Sequence, residues 1–102
     1  MHYLSTRNNQ LKESFLNILF RGLSKDGGLF LPSEWPTISL EKLQGKSYQE
    51  VAHSIIYPYI EDDIPYSDLQ LIINTAYESF NHKKIAPLLN IDQNKYILEL
   101  FY

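Results

Sequence analysis

Cysteine is absent from this chain. That absence removes disulfide scaffolds, thiolate zinc sites, iron–sulfur clusters and cysteine nucleophiles together. Long hydrophobic runs are missing as well. The longest apolar stretch near the start, Phe15 to Phe20, is interrupted by Asn17 and followed by Arg21. It is too short for a signal peptide or a membrane span. Basic charge is scarce: 9 Lys and Arg stand against 12 Asp and Glu, a net charge of −3. Nucleic acids and anionic membranes both demand a basic footprint, so neither is an expected partner. A soluble, cytoplasmic protein is the expectation.

What remains is an ordinary globular composition, 44% hydrophobic and 14% aromatic, over 102 residues. That length suits one domain. Size scaling gives about 6,000 Å² of folded surface against about 17,000 Å² for the extended chain, so a core is possible. Tyr3 to Thr6 is β-prone. Ser14 caps an expected helix with the apolar stripe Phe15, Leu16, Leu19, Phe20 and Leu23, stopped by Asp26-Gly27-Gly28. Leu29-Phe30-Leu31 reads as extended up to Pro32, and Ser39 as the cap of a short helix over Leu40 to Leu43.

Two amphipathic helices dominate the middle. Ser47 and Glu50 form a capping box, followed by Tyr48, Val51, Ala52, Ile55, Ile56 and Tyr59 at helical spacing. Ser67 and Gln70 repeat the pattern before Leu69, Ile72, Ile73, Ala76, Tyr77 and Phe80. The spacing predicts antiparallel neighbours with Val51, Ile55, Ile72 and Ala76 in the contact, and Pro58 bending or ending the first helix. After Lys84 the period changes, and Ile85 to Ile91 and Lys95 to Phe101 read as a hairpin across Asp92-Gln93-Asn94. The expected fold is therefore α+β: amphipathic helices packed on a small sheet containing a C-terminal β-hairpin, in one domain spanning 1–102. Tyr96 to Tyr102 is apolar at six of seven positions, a pattern of strands buried on both sides within a larger assembly. A chain that stops there reads as cut.

The residues alone give no catalytic constellation. Glu61-Asp62-Asp63 lacks the alternate ligand spacing of a calcium loop and reads as an inter-helix turn. His2, His53 and His82 show no metal-binding spacing, and His53 reads as a surface or helix-end residue. Asp26-Gly27-Gly28 lacks the glycine spacing of nucleotide loops and reads as a structural turn. Ser5-Thr6-Arg7 could hydrogen-bond an anion but otherwise reads as a polar strand end. The eight tyrosines read as core and interface.

The ordered string of segments resembles the amino-terminal region of threonine synthases. The resemblance starts with Tyr3-x-Ser5-Thr6-Arg7 and Gly22-Leu23-x-x-Asp26-Gly27-Gly28-Leu29-Phe30-x-Pro32. It continues through Trp35-Pro36, Ser47-Tyr48-Gln49-Glu50-Val51-Ala52 and Pro58-Tyr59-Ile60-Glu61-Asp62-x-Ile64-Pro65. It closes with Ile85-Ala86-Pro87-Leu88 and Tyr96-Ile97-Leu98-Glu99-Leu100-Phe101. In that family Glu-Leu-Phe leads into His-Gly-Pro-Thr and then Phe-Lys-Asp, whose lysine carries pyridoxal phosphate; here Tyr102 stands in place of the histidine. The resemblance implies a parent lyase that converts O-phospho-L-homoserine and water to L-threonine and phosphate. The cofactor lysine and catalytic domains would lie beyond this segment, which would be a structural partner of the catalytic domain in the same chain. No catalytic, cofactor or metal residue is carried over; Arg7 is the one candidate for reaching a substrate phosphate. The alternative is a free-standing α+β interaction module with its last strand as the binding edge.

Overall fold

Ser47 and Glu50 open the longest ordered stretch of the computed structural model, which describes all residues 1–102. The Ser47 hydroxyl accepts from the Glu50 amide at 3.2 Å, and the Glu50 carboxylate accepts from the Ser47 amide at 2.7 Å. Two otherwise orphaned donors are satisfied, and a helix (α2, Tyr48–Ile60) follows. It runs two residues past Pro58 before ending. A second helix (α3, Tyr66–Glu78) starts two residues earlier than the serine pattern predicts. Pro65 takes the cap position with φ −60° and ψ 151°, which places Ser67 inside the first turn with no capping role. The expected second capping box is therefore not formed.

The helices are antiparallel. Tyr48 at the start of α2 meets Tyr77 near the end of α3, edge to face at 5.1 Å. At the other end Ile60, Leu69 and Ile73 form the buried cluster, with Phe15, Ala52, Ile64 and Tyr77 against it. The contact line on α3 is Leu69, Ile73, Tyr77, a spacing of four. Ile72 is instead 53% exposed and Ile55 38% exposed, so neither belongs to the core, and Ala76 is exposed too. Both helices carry apolar residues on more than one face, and period alone does not choose the face that meets the partner.

A three-stranded antiparallel sheet lies beside the pair. Its strands are β1 (Tyr3–Ser5), β2 (Lys12–Glu13) and β3 (Phe30–Pro32), in the order β2-β1-β3. Tyr3 and Ser5 point to the buried face, as period two requires. The Tyr3 hydroxyl donates to the Tyr59 carbonyl at 2.8 Å, and its ring sits 6.0 Å from Phe15, which ties sheet to helices. Between β2 and β3 lies a short helix (α1, Phe15–Leu19) capped by Ser14. It ends at Leu19 with Phe20 as its cap, and Gly22, at a φ of +70° that suits glycine, turns the chain well before the later Gly27-Gly28 turn. Leu23 accordingly leaves the helix stripe and pairs with Leu29 in an isolated bridge. The segment Leu40–Leu43 forms a 3₁₀ turn, with no bond from the Ser39 side chain.

The final hairpin forms as expected, with tighter limits: β4 (Leu88–Asp92) and β5 (Lys95–Leu98), joined through Asn94 at φ +58°. Pro87 and a left-handed Ile85 (φ +62°) keep residues before Leu88 out of the strand. This hairpin is a sheet of its own and does not join β1–β3. The radius of gyration is 16.8 Å, against about 13 Å for a compact domain of this length.

Candidate functional site

The residues singled out as Ser5-Thr6-Arg7 and Asp26-Gly27-Gly28 come together at one end of the small sheet. Antiparallel pairing of Ser5 with Phe30 carries the two loops side by side. The Thr6 amide donates to the Leu29 carbonyl, and the Leu29 amide to the Thr6 hydroxyl, each at 2.9 Å. Within the turn, the Gly27 amide donates to the Ser24 carbonyl and the Ser24 amide to the Gly28 carbonyl, both at 2.9 Å. The turn is thus closed on itself before any ligand is considered.

Asp26 is the hub. Its carboxylate accepts from the Gly28 amide at 2.9 Å and from the buried Ser5 hydroxyl at 2.8 Å. These bonds, the Gly28 amide first, hold the Asp26 carboxyl below the usual carboxylate range, because they favour the charged form. Ser5 Oγ also accepts from the Arg7 amide at 3.2 Å. The Arg7 guanidinium donates through Nη1 to the Asp26 carbonyl at 3.0 Å and is otherwise exposed.

The glycines are required by these contacts. Gly27 has φ +81°, and a Cβ there would stand 2.8 Å from Arg7 Nη1. A Cβ on Gly28 would overlap Ser5 Oγ and come within 2.9 Å of Thr6 Oγ1. With the Gly27 and Gly28 amides both engaged inside the turn, the loop offers no free backbone cradle for a phosphate. The turn is structural. What lies exposed beside it is the Arg7 guanidinium, held at Nη1 by the Asp26 carbonyl.

The acidic run is divided between two local tasks. Asp62 pairs with the amino group of Met1, and Asp63 accepts from the Phe15 amide at 2.9 Å, at the start of α1. The histidines stay apart. His53 is not a surface residue: it is 5% exposed, and its Nε2 donates to the Tyr66 carbonyl at 3.0 Å. It packs between Tyr57, stacked at 5.4 Å, and Tyr66 at 4.0 Å. A polar cleft of about 290 Å³ opens beside it, lined also by Lys46, Glu50, Gln70 and Asn74. The only sequence signal for this burial was the His53–Tyr57 spacing of four on one helix.

A pyridoxal-phosphate site needs a lysine amine aimed at the cofactor and a fixed anion cradle. The seven lysines here are all exposed, and the glycine turn is closed. The residues of this chain do not fit the group.

The fold is a helix pair and a small sheet whose strand end and glycine turn clasp each other, an α+β domain of threonine-synthase type. The chain belongs to the threonine synthase family: residues 2–77 match the family model described as "Threonine synthase N terminus". It is 34% identical to a threonine synthase of Pseudomonas aeruginosa over 100% of this chain and 22% of that protein. Against the threonine synthase of Saccharomyces cerevisiae it is 36% identical, covering 98% of this chain and 21% of the relative. The crystal structure of PLP-bound threonine synthase from Brucella melitensis superposes with a TM-score of 0.93 at 39% identity, over 99% of this chain and 22% of that one. The chain therefore spans about a fifth of the length of the relatives it matches.

Proposed function

We propose that this chain is the packed amino-terminal domain of a cytoplasmic threonine synthase and is not catalytic by itself. The parent converts O-phospho-L-homoserine and water to L-threonine and phosphate, with pyridoxal phosphate held by the catalytic domain of the same polypeptide. The observation that carries this reading is the end-to-end match, 99% of this chain on 22% of a PLP-bound relative. The absence of any fitting lysine within residues 1–102 supports placing the cofactor elsewhere in the parent. When bound, that cofactor supplies the electron sink for carbanions next to the amino group.

Residues of this domain contribute structure and, at the strand-end clasp, an exposed cation. Arg7 is held through Nη1 by the Asp26 carbonyl, and its remaining N–H groups face outward. A guanidinium so anchored suits bidentate contact with a phosphate, and we assign it to the phosphate of the substrate. The test is to express the reading frame that encodes the parent, mix it with cofactor, reduce with borohydride and map the modified lysine. Labelling outside residues 1–102, with phosphate released from O-phosphohomoserine, is expected. Stoichiometric labelling inside residues 1–102, accompanied by phosphate release, would overturn the reading.

A further inference from the structure

The polar cleft beside His53, about 290 Å³ in volume, shares no residue with the Arg7 clasp. Its size falls at the small end of ligand sites, which run to roughly 300–1,000 Å³. Two charges line it, the Lys46 ammonium and the Glu50 carboxylate. Glu50 is fixed in place. Its Oε2 accepts from the Ser47 amide at 2.7 Å, which leaves Oε1 unengaged. The Ser47 bonds foremost, with the field of Lys46 added, hold this carboxyl below the usual carboxylate range, so it is charged at neutral pH. Lys46 stands in that field without pairing to it, and the three ion pairs of the chain lie elsewhere.

His53 forms the inner wall. Its ring is almost sealed, and its Nε2–H is engaged by the Tyr66 carbonyl. A carbonyl only accepts, so the neutral ring carries its proton on Nε2 and a lone pair on Nδ1. Nδ1 has no partner within the chain, yet no buried side-chain nitrogen is left unsatisfied. That nitrogen therefore opens on the cleft, where it calls for a donor. Gln70 and Asn74, four apart on one face of α3, add two side-chain amides to the lining. Apolar lining is confined to Tyr66 and Ile73.

These features select a ligand by charge. A phosphate on Lys46 would face the Glu50 carboxylate, and a simple cation on Glu50 would face Lys46. A small molecule carrying both signs meets both. We propose that the cleft is a binding site for a free α-amino acid with a short polar side chain. Its carboxylate pairs with Lys46, its ammonium donates to Glu50 Oε1 and His53 Nδ1, and its side chain meets the Gln70 and Asn74 amides. The capping box gives the site rigidity, because Glu50 cannot swing away without releasing the Ser47 amide. Less ordering is then left to the moment of binding.

The test uses the full-length, cofactor-loaded parent and amide hydrogen exchange read by mass spectrometry. L-Serine, L-threonine and L-asparagine are added at millimolar concentration, with L-leucine and inorganic phosphate as comparisons. At least one polar amino acid should slow exchange, saturably, in peptides covering residues 46–54 and 66–74. Lys46→Glu and Asn74→Leu, both at exposed positions, should each weaken that binding by about tenfold or more. Thermal melts check that both variants fold, and the visible absorbance of the cofactor reports the active site in the same samples. Exchange that none of the three polar amino acids slows overturns the inference. Equal slowing by phosphate makes the cleft an anion site and overturns it as well. Equal slowing by L-leucine refutes the polar side-chain contact. Slowing that survives both variants unchanged, or that follows the cofactor absorbance at one midpoint, places the ligand elsewhere and refutes the site.

Discussion

Alanine at the three well-placed glycines separates steric from conformational cost. Gly22 is left-handed at φ +70° with nothing within 4 Å of an added Cβ, so Gly22→Ala meets only the left-handed penalty of about 1–2 kcal/mol. Gly27 adds to a φ of +81° a contact with Arg7 Nη1, the end of a flexible side chain that can move aside. Gly28 differs in kind. Its Cβ would overlap Ser5 Oγ, and Ser5 is 5% exposed and bonded to the Asp26 carboxylate. Ser5 cannot retreat without breaking that bond, because its strand is fixed by pairing on both sides. Overpacking costs about 1–3 kcal/mol, and losing a hydrogen bond to a charged group about 1.5–3 kcal/mol. Gly28→Ala should therefore cost roughly 3–5 kcal/mol, a large part of a total stability of about 5–15 kcal/mol. Denaturant melts followed by helical circular dichroism give the three values side by side. A Gly28→Ala loss below about 1 kcal/mol, or one smaller than that of Gly22→Ala, would refute the clasp.

The helix contact makes a paired forecast: Ile73→Ala should cost about 2–5 kcal/mol and the half-exposed Ile55→Ala under about 1 kcal/mol, and equal losses in melts would count against the observed phase. Acid sensitivity should follow Asp26. Its folded pKa is depressed, so its contribution is present above the ordinary carboxylate range and lost as pH falls through the lower, folded value. Asp26→Asn should then flatten the dependence of melting temperature on pH in the acid range; an unchanged slope would contradict the hydrogen-bond geometry. In the parent enzyme Arg7→Gln should raise KM for O-phosphohomoserine with the melting temperature nearly unchanged, and an unaltered kcat/KM would remove Arg7 from phosphate binding.

Local chemistry was legible wherever it closed within a few residues. Ser14 and the Ser47–Glu50 box are such cases, since cap and amide stand three positions apart. The Gln93-Asn94 turn is another, with Asn94 tolerating a positive φ. The strand-end motif and the glycine turn could be picked out separately, but their mutual clasp depends on the pairing of β1 with β3 across some twenty-five residues. No spacing rule encodes that contact.

His53 and Ile72 show why the packing was harder to read than the elements. On each helix several apolar stripes compete, and the winner is set by what the opposite helix presents. Tyr66 offers a carbonyl and a ring at the place where α3 begins, and His53 satisfies both at once, one edge polar and one face apolar. An isoleucine at that position would leave the carbonyl without this donor, so a polar residue takes the interior place while Ile55 and Ile56 stay partly exposed. The same reasoning explains the hairpin. Its strands follow from Leu-Leu-Asn-Ile and Lys-Tyr-Ile-Leu alone, yet their faces find no cover within the chain, because sequence pattern specifies that a surface is to be buried without specifying by what. Such a pattern can be seen only as an excess: apolar residues beyond what the core of residues 1–102 takes in.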